Sequence, residues 1–432
     1  MASNIRSEIS FRSSATVANF GGYDVGGFAL EEPRNHYYFQ LLGKLDLGLF
    51  DRRRAITLFG GTYGDQLREL PQNPDHPNSE LVNTTLHIAM GEFELRGPYL
   101  VAVSQAYPLR KGGGMSATAR TAPYFALNEI HGLGLSRYDI AKKAVHSEIK
   151  GRKEGHWDNI APNVLGGYVF IVPEGEDAEL LRYEPINGHA VLLFVPPWEK
   201  QSTNVLRPPV QAFTTDYRGL ERALYATSMI VGAAARSAFL TLPEGRRLDV
   251  VNQFMKGAPE TVKMSDITGR QVAILRHVAK EYPKADIPAQ QLVRTVGEYS
   301  AHEGTHTLAR AQVKGFAPNE RFSDWEAYSD EMILLGGYPA KNGAGPSYVT
   351  HLDETLVPPE NIDRMVAIGR DYIRSVGNLS EEESKRITVL KTRPSSKGLE
   401  RVAHYTDGRE AVTSIEVSLA MLEQLVSTKV VA

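Results

Sequence analysis

The feature that most narrows what this chain can become is the run Pro108-Leu-Arg-Lys111-Gly112-Gly113-Gly114-Met115-Ser116-Ala117. An apolar segment, Tyr99–Val103, reads as a strand leading into it, and a periodic segment, Ala117–Ile130, reads as a helix leaving it. Three successive glycines let main-chain N–H groups close around an anion with no Cβ in the way. The following helix brings unpaired N–H groups and a partial positive charge to the same point. Ser116 can cap that helix or turn its hydroxyl to a magnesium ion, and Arg110 and Lys111 add positive charge. The run also reads as ordinary turn punctuation capped by Ser116. It is neither of the two common phosphate signatures: no Gly-Lys-Ser/Thr ends it, and its spacing is not that of a dinucleotide fingerprint.

The rest of the chain alternates. Ile9–Ala18, Ala55–Phe59, Tyr99–Val103, Val164–Val172 and Ala190–Val195 read as strands. Glu80–Gly91, Ala117–Ile130 and Tyr138–Lys150 read as helices between them. Pro196-Pro197 and Pro208-Pro209 bracket a domain boundary, giving units 1–198 and 199–432. Beyond it helix dominates, over Leu220–Phe239, Ile267–Glu281, Ala289–Ala311, Trp325–Leu335 and Val357–Val376. Ser380–Arg386 reads as a solvated, charged helix face. The expected class is α+β, with a mixed first half and a more helical second half. With 48 basic against 51 acidic residues and a net charge of −3, nothing points to a nucleic-acid footprint or a membrane surface. The absence of cysteine excludes disulfides and thiolate chemistry. The N-terminus has no apolar signal-type segment and Ala190–Pro197 is far too short to cross a bilayer, so a cytoplasmic protein is expected.

Three further segments bear on the glycine run. They are Ser13-Ser-Ala-Thr-Val-Ala-Asn19-Phe-Gly-Gly-Tyr-Asp24, His156-Trp-Asp158-Asn159 with the following Gly166-Gly167, and Asn342-Gly-Ala-Gly-Pro-Ser347. In this order, with Pro108–Ala119 in its place among them, they resemble the motifs of homoserine kinases. That family belongs to the galactokinase, homoserine kinase, mevalonate kinase and phosphomevalonate kinase (GHMP) superfamily. The resemblance covers about residues 9–245 and 300–350. It implies a two-domain GHMP-like fold, with an ATP-binding unit over 1–198, a C-terminal unit over 199–432 and an insertion near 246–300. It implies ATP and Mg²⁺ as cofactors and a small hydroxy amino acid as phosphate acceptor, with a homodimer among the assemblies compatible with it. By the same resemblance Gly112, Gly113, Gly114, Met115, Ser116 and Ala117 would hold the nucleotide. Ser116 and Glu148 would bind magnesium, and Lys111 would hold phosphates. Asn19, Asp24, His156 and Arg207 would bind the acceptor, with Asn159, next to Asp158, facing its hydroxyl. Asp24 suits an ammonium group and Arg207 a carboxylate. No dedicated general base is evident.

The chain also departs from the family. Gly-Gly-Gly-Met-Ser stands where Gly-Leu-Gly-Ser-Ser is usual, so Met115 replaces the first of two serines. Pro123 falls inside the next helix and is expected to kink it. The Asn19–Asp24 segment is one residue shorter than the family pattern, and residues 246–300 find no counterpart. A competing site is His302-Glu303-Gly-Thr-His306, which on a helix could hold zinc with Glu326 as third ligand and Glu303 as base. The family's own His-Glu segment falls at about the same place. A nucleotide-binding relative without catalysis is the third reading.

Overall fold

Two sheets organise the molecule and share one apolar interior between them. The computed structural model describes residues 8–18, 26–41, 56–63, 66–68, 77–96, 99–105, 107, 111–152, 156–174, 177–185, 187–198, 212, 215–256, 264–281, 321–342 and 346–402. The first sheet starts from an antiparallel pair, β1 (Glu8–Ala18) and β2 (Gly26–Leu41). Next to β2 comes β5 (Tyr99–Gln105), then β3 (Ile56–Tyr63), parallel to it, and β4 (Gln66–Arg68). The other branch from β2 is β6 (Tyr168–Glu174) with β7 (Asp177–Tyr183). The second sheet is antiparallel throughout, in the order β11 (Thr388–Thr392), β8 (His189–Val195), β10 (Tyr348–Asp353), β9 (Gly337–Lys341).

An irregularity in β1 decides which side chains meet which layer. Ile9 and Phe11 join Tyr37 and Phe39 beneath the helices α1 (Pro77–Glu92), α2 (Met115–His131), α3 (Arg137–Arg152) and α4 (Trp157–Leu165). The Phe11 ring stacks on Tyr37 at 5.4 Å and meets Phe125 of α2 edge-on at 4.9 Å. Strict alternation would keep Ala15 and Val17 on that face too. The register shift between Ser14 and Thr16 turns them to the opposite face, where they pack with Phe28, Leu30, Val191, Leu193 and Val349. Thr16 is thereby aimed at the helix layer.

β8 is buried along its whole length because both its faces are covered. Val191, Leu193 and Val195 face the first sheet, while Ala190, Leu192 and Phe194 face α8 (Phe322–Leu334) and α9 (Pro359–Val376). Helix α9 buries Met365, Gly369, Tyr372, Ile373 and Val376, one stripe at helical spacing, and Gly369 leaves room for the Phe194 ring. Three helices, α5 (Tyr217–Leu240), α6 (Glu244–Met255) and α7 (Met264–Glu281), complete the shared interior through Ala234, Ala238, Val250, Leu275 and Val278. The described part of 246–300 is thus built into the fold: Tyr183 of β7 donates to the Leu275 carbonyl at 2.6 Å, and Arg276 pairs with Glu179. At the far end β12 (Glu400–Arg401) returns to pair with β1.

Most expected elements are present, with informative differences. The segment Val164–Val172 is not one strand: α4 runs through Leu165, Gly166 and Gly167 turn with φ of 69° and 71°, and β6 starts at Tyr168. Helix α2 runs unbroken through the buried Pro123. The second half carries a four-stranded sheet besides its helices, and β8, placed before the Pro196-Pro197 boundary, lies at its centre. Ala289–Ala311 lies outside the described residues. Among those described, no helix is long and apolar enough to cross a membrane.

A chain of buried polar groups joins the sheets. Tyr168 of β6 bonds to His189 Nδ1, and His189 Nε2 lies 3.0 Å from His351 Nδ1. One consistent proton arrangement has the Tyr168 hydroxyl and then the His189 Nε2–H donating in sequence. Burial pushes His351 down to about 3 and, with the neighbouring His351, holds His189 well below its ordinary value. The unfolded chain takes up a proton on His351 near pH 6.5, whereas the folded chain resists it down to about 3. Folding stability from this group is therefore retained above pH 6.5 and falls as pH drops through that window. We expect His351→Gln to flatten the acid side of the stability curve, with the loss between pH 7 and pH 4.5 smaller by about 2 kcal/mol than in the parent. Urea midpoints at the two pH values test this; identical acid losses in parent and variant would contradict it.

Candidate active site

The glycine run forms the turn between β5 and α2, and its shape follows from what lies under it. Gly112 and Gly114 adopt φ of 96° and 72°, conformations that side-chain-bearing residues rarely take. Gly113 lies flat on the Tyr107 ring, where any Cβ would clash with the ring carbons. Gly114 packs against the Thr16 hydroxyl and approaches Asn159 Oδ1. The carbonyls of the turn point inward: Gly113 O accepts from Thr16 N at 3.2 Å and Gly114 O from Thr118 N at 3.1 Å. Among the described residues, the N–H groups of Gly113, Gly114 and Met115 donate to no partner. A concave row of unspent N–H groups at a helix start is the arrangement that receives an anion.

Met115 does not face this opening. Its side chain is buried in the shared interior, and Asn35 Nδ2 donates to its sulfur at 3.1 Å. Ser116, one residue on, is exposed, and Ala117 is buried beneath the helix. Ser116 and Arg120 are one turn apart on α2 and share a side of it. On that side Arg120 Nε lies 3.6 Å from Glu148 Oε1 near the end of α3. Glu148 is only 4% exposed, and its Oε2 accepts the His156 N–H at 3.2 Å, so one carboxylate fixes the start of α4 and faces α2.

Helix α4 presents the next groups. Half-buried His156 stands at its N-cap. Asp158 is fully buried, and its Oδ1 accepts from both the Asn159 N–H at 2.9 Å and Asn159 Nδ2 at 3.1 Å. Asn159 Oδ1 in turn accepts from Thr16 Oγ1 at 3.1 Å. Asp158 therefore orients the Asn159 amide rather than opening to solvent. Deeper in, Asn163 donates to Ser13 Oγ at 2.8 Å and Ser14 O at 2.7 Å and accepts from Thr121 at 2.7 Å, tying α4 to β1 and α2.

The C-terminal motif reaches the same place. Asn342 Oδ1 accepts from Ala18 N at 3.4 Å, and Ser347 Oγ is shared between Tyr107 OH, at 3.0 Å, and the Lys111 carbonyl. The Lys111 ammonium, expected on phosphates, instead donates to the carbonyls of Pro197 at 2.8 Å and Trp198 at 2.6 Å. Asn19, Asp24 and Arg207 lie outside the described residues, as do His302, Glu303 and His306. Glu326 is exposed on α8, and among the described residues no three His, Asp or Glu side chains are grouped to hold a metal ion.

Residues 80–167, which include the glycine turn, Glu148 and the whole of α4, match the family model described as the GHMP kinases N terminal domain. The chain is similar to the homoserine kinase of Thermoplasma volcanium, 29% identical over 176 residues, which are 40% of this chain and 50% of that protein. It is also similar to the homoserine kinase of Haloarcula marismortui, 30% identical over 168 residues, 39% of this chain and 50% of that protein. The chain thus spans about half the length of these curated relatives in the matched region. Among solved structures, homoserine kinase from Cytophaga hutchinsonii aligns with a TM-score of 0.55 at 16% identity, covering 93% of this chain and 99% of that one. The Methanococcus jannaschii mevalonate kinase aligns with a TM-score of 0.52 at 10% identity, covering 90% and 98%. Residues 80–167 thus match the GHMP kinases N terminal domain, and the chain shares its fold with these kinase structures.

Several residues of this candidate site were not singled out in the sequence: Thr16, Tyr107, Asn163 and, as a loop support, Ser347. Thr16 and Asn163 lie within quoted motifs, yet nothing in spacing separates them from their neighbours; the β1 irregularity and the depth of α4 do. Tyr107 carried a usable signal, an aromatic ring directly before a glycine turn that needs a floor. We expect Gly113→Ala to displace the turn from that ring and lower stability by about 1–3 kcal/mol, the usual range for overpacking. Thermal unfolding measures this; a variant as stable as the parent would show that the turn does not rest on Tyr107.

Proposed function

We propose that this chain is an ATP-dependent kinase that moves the γ-phosphoryl group to the hydroxyl of homoserine or a related hydroxy amino acid. The observation that carries the proposal is the row of N–H groups at Gly113, Gly114 and Met115, which donate to no partner among the described residues, set beside exposed Ser116 and buried Glu148. Phosphoryl transfer asks chiefly for alignment and charge neutralisation, and this arrangement supplies both. The relatives to which the chain is similar are homoserine kinases, which supports the acceptor class.

The donor set suits magnesium. A single carboxylate and a hydroxyl are hard oxygen ligands, too few for a closed protein cage and right in kind for an ion that takes its other ligands from water and nucleotide phosphates. Glu148 and Ser116 would hold it, and when bound it would neutralise charge developing on the phosphates. The turn N–H groups would orient the phosphate chain. Asn159, locked by Asp158 and Thr16, would present a fixed amide to the acceptor hydroxyl, and a fixed partner limits the directions from which that hydroxyl can approach. Asn19, Asp24, His156 and Arg207 would complete the acceptor site. An amino acid carries the ammonium and carboxylate that Asp24 and Arg207 suit. In this reading residues 1–198 carry the nucleotide and 199–432 form the second unit, with β8 pairing to β10 and β11, and β12 to β1, across that division.

The proposal is tested by incubating the protein with Mg·ATP and a panel of hydroxy amino acids, homoserine included, and following ADP release together with the phosphorylated product. Phosphorylation of one member is expected; ATP unbound, or a sugar or isoprenoid alcohol phosphorylated instead, would overturn it. Ser116→Ala and Glu148→Gln should each lower turnover by at least tenfold while the fold is kept, and near-parental rates in both would remove them from the metal site.

A further inference from the structure

The sequence places Lys111 on the phosphates, and the structure gives its ammonium other work. The side chain is 7% exposed, and Nζ donates to two main-chain carbonyls, Pro197 O and Trp198 O. Both carbonyls lie just past the last residue of β8, where the ladder that would have satisfied them has ended at Val195. The main chain of Lys111 is fixed as well, because Ser347 Oγ donates to its carbonyl. The antiparallel register sets Tyr348 opposite Phe194, so Ser347 and the end of β8 are neighbours at one edge of the second sheet. Lys111 is therefore attached to that edge at both its ends.

The anchor is firm. The Trp198 ring packs directly against Gly377 at the end of α9, where any Cβ would clash with the indole. Two residues beyond Lys111, Gly113 O receives the Thr16 N–H of the first sheet. The glycine turn thus hangs between the two sheets, tied to β1 through Gly113 and to the end of β8 through Lys111. For Lys111 to reach a phosphate, it would have to surrender two charge-assisted bonds and leave two carbonyls without their donor.

We propose that Lys111 is a positioning residue, a clamp that fixes the glycine turn against the second sheet before any nucleotide arrives, and that it does not itself touch phosphate. The effect on nucleotide rests on the phosphate reading of the turn; the clamp itself does not. Lys111→Met keeps the length of the side chain and removes the donors. In the ligand-free full chain, hydrogen exchange of a peptide spanning residues 112–118 should quicken at least tenfold in the variant, with peptides from α3 and α7, which hold none of the clamp's partners, unchanged. Binding of AMP, ADP and ATP, each with Mg²⁺, should weaken by a similar factor of about ten for all three, because the loss lies in the shape of the turn and not in a charge on one phosphate. Ser347→Ala, which cuts the second tether, should quicken the same peptide more mildly, and it decides the matter if Lys111→Met does not fold. Unchanged exchange of 112–118 in the ligand-free variants, or a loss of affinity that grows steeply from AMP to ATP, would overturn the clamp. A parental protein that binds none of the three nucleotides would instead overturn the kinase reading, and the exchange measurement would still decide on Lys111.

Discussion

The site depends on a turn that no side chain could enter. Gly113 must lie on the Tyr107 ring, and Gly114 must sit against Thr16 and Asn159 with a positive φ. The turn spends its carbonyls on Thr16 N and Thr118 N, and among the described residues the N–H groups of Gly113, Gly114 and Met115 donate to no partner. The desolvation cost that unpaired N–H groups carry in a closed interior is avoided only if water or an anion meets them. The geometry that makes the turn awkward as a loop is the same geometry that suits a turn to receive an anion.

Everything near the turn is arranged to keep it there. The β1 irregularity aims Thr16 at it, Asn163 ties α4 to β1 and α2 from below, and Glu148 pins the start of α4 through the His156 N–H. Asp158 is buried to hold the Asn159 amide, a supporting role for a residue that its neighbourhood suggested for chemistry. The two sheets are joined by the Tyr168–His189–His351 chain on one side and by Lys111 on the other. The C-terminal return is equally structural: Arg34 binds Glu400 at 2.7 Å and Ser395 at 2.8 Å, and Gly167 N donates to the Ser395 carbonyl at 2.6 Å. The last strand therefore braces the helix that carries Asn159.

How much of this was legible varies with the physics. The glycine turn and the helix after it were readable because glycine conformational freedom and helical periodicity are local properties. β2 was not: its sixteen residues include Pro33 and a mixed run, Glu31 to Asn35, whose pairing depends on distant partners in β1, β5 and β6. β10 was missed for a related reason, since a strand buried on both faces loses the alternation that marks a half-exposed strand. Leu165 and Tyr168 differ in structure although both lie in one apolar run, because Gly166 and Gly167 between them adopt positive φ, Gly166 against the Ser396–Gly398 segment far along the chain and Gly167 against Tyr183 of β7. Lys111 shows the limit most sharply. Its charge and place beside three glycines suggested phosphate, and only the nearby end of β8, eighty-odd residues on, shows where the ammonium is spent.

The central claim is that the outward N–H groups of the glycine turn receive nucleotide phosphate. The most direct measurement follows the amide resonances of Gly113, Gly114 and Met115 in selectively labelled protein as a non-hydrolysable ATP analogue with Mg²⁺ is added. The account predicts saturable shifts concentrated on these amides and their protection from exchange in the complex. Saturable binding that leaves these three amides unmoved, with shifts elsewhere in the molecule, would contradict it.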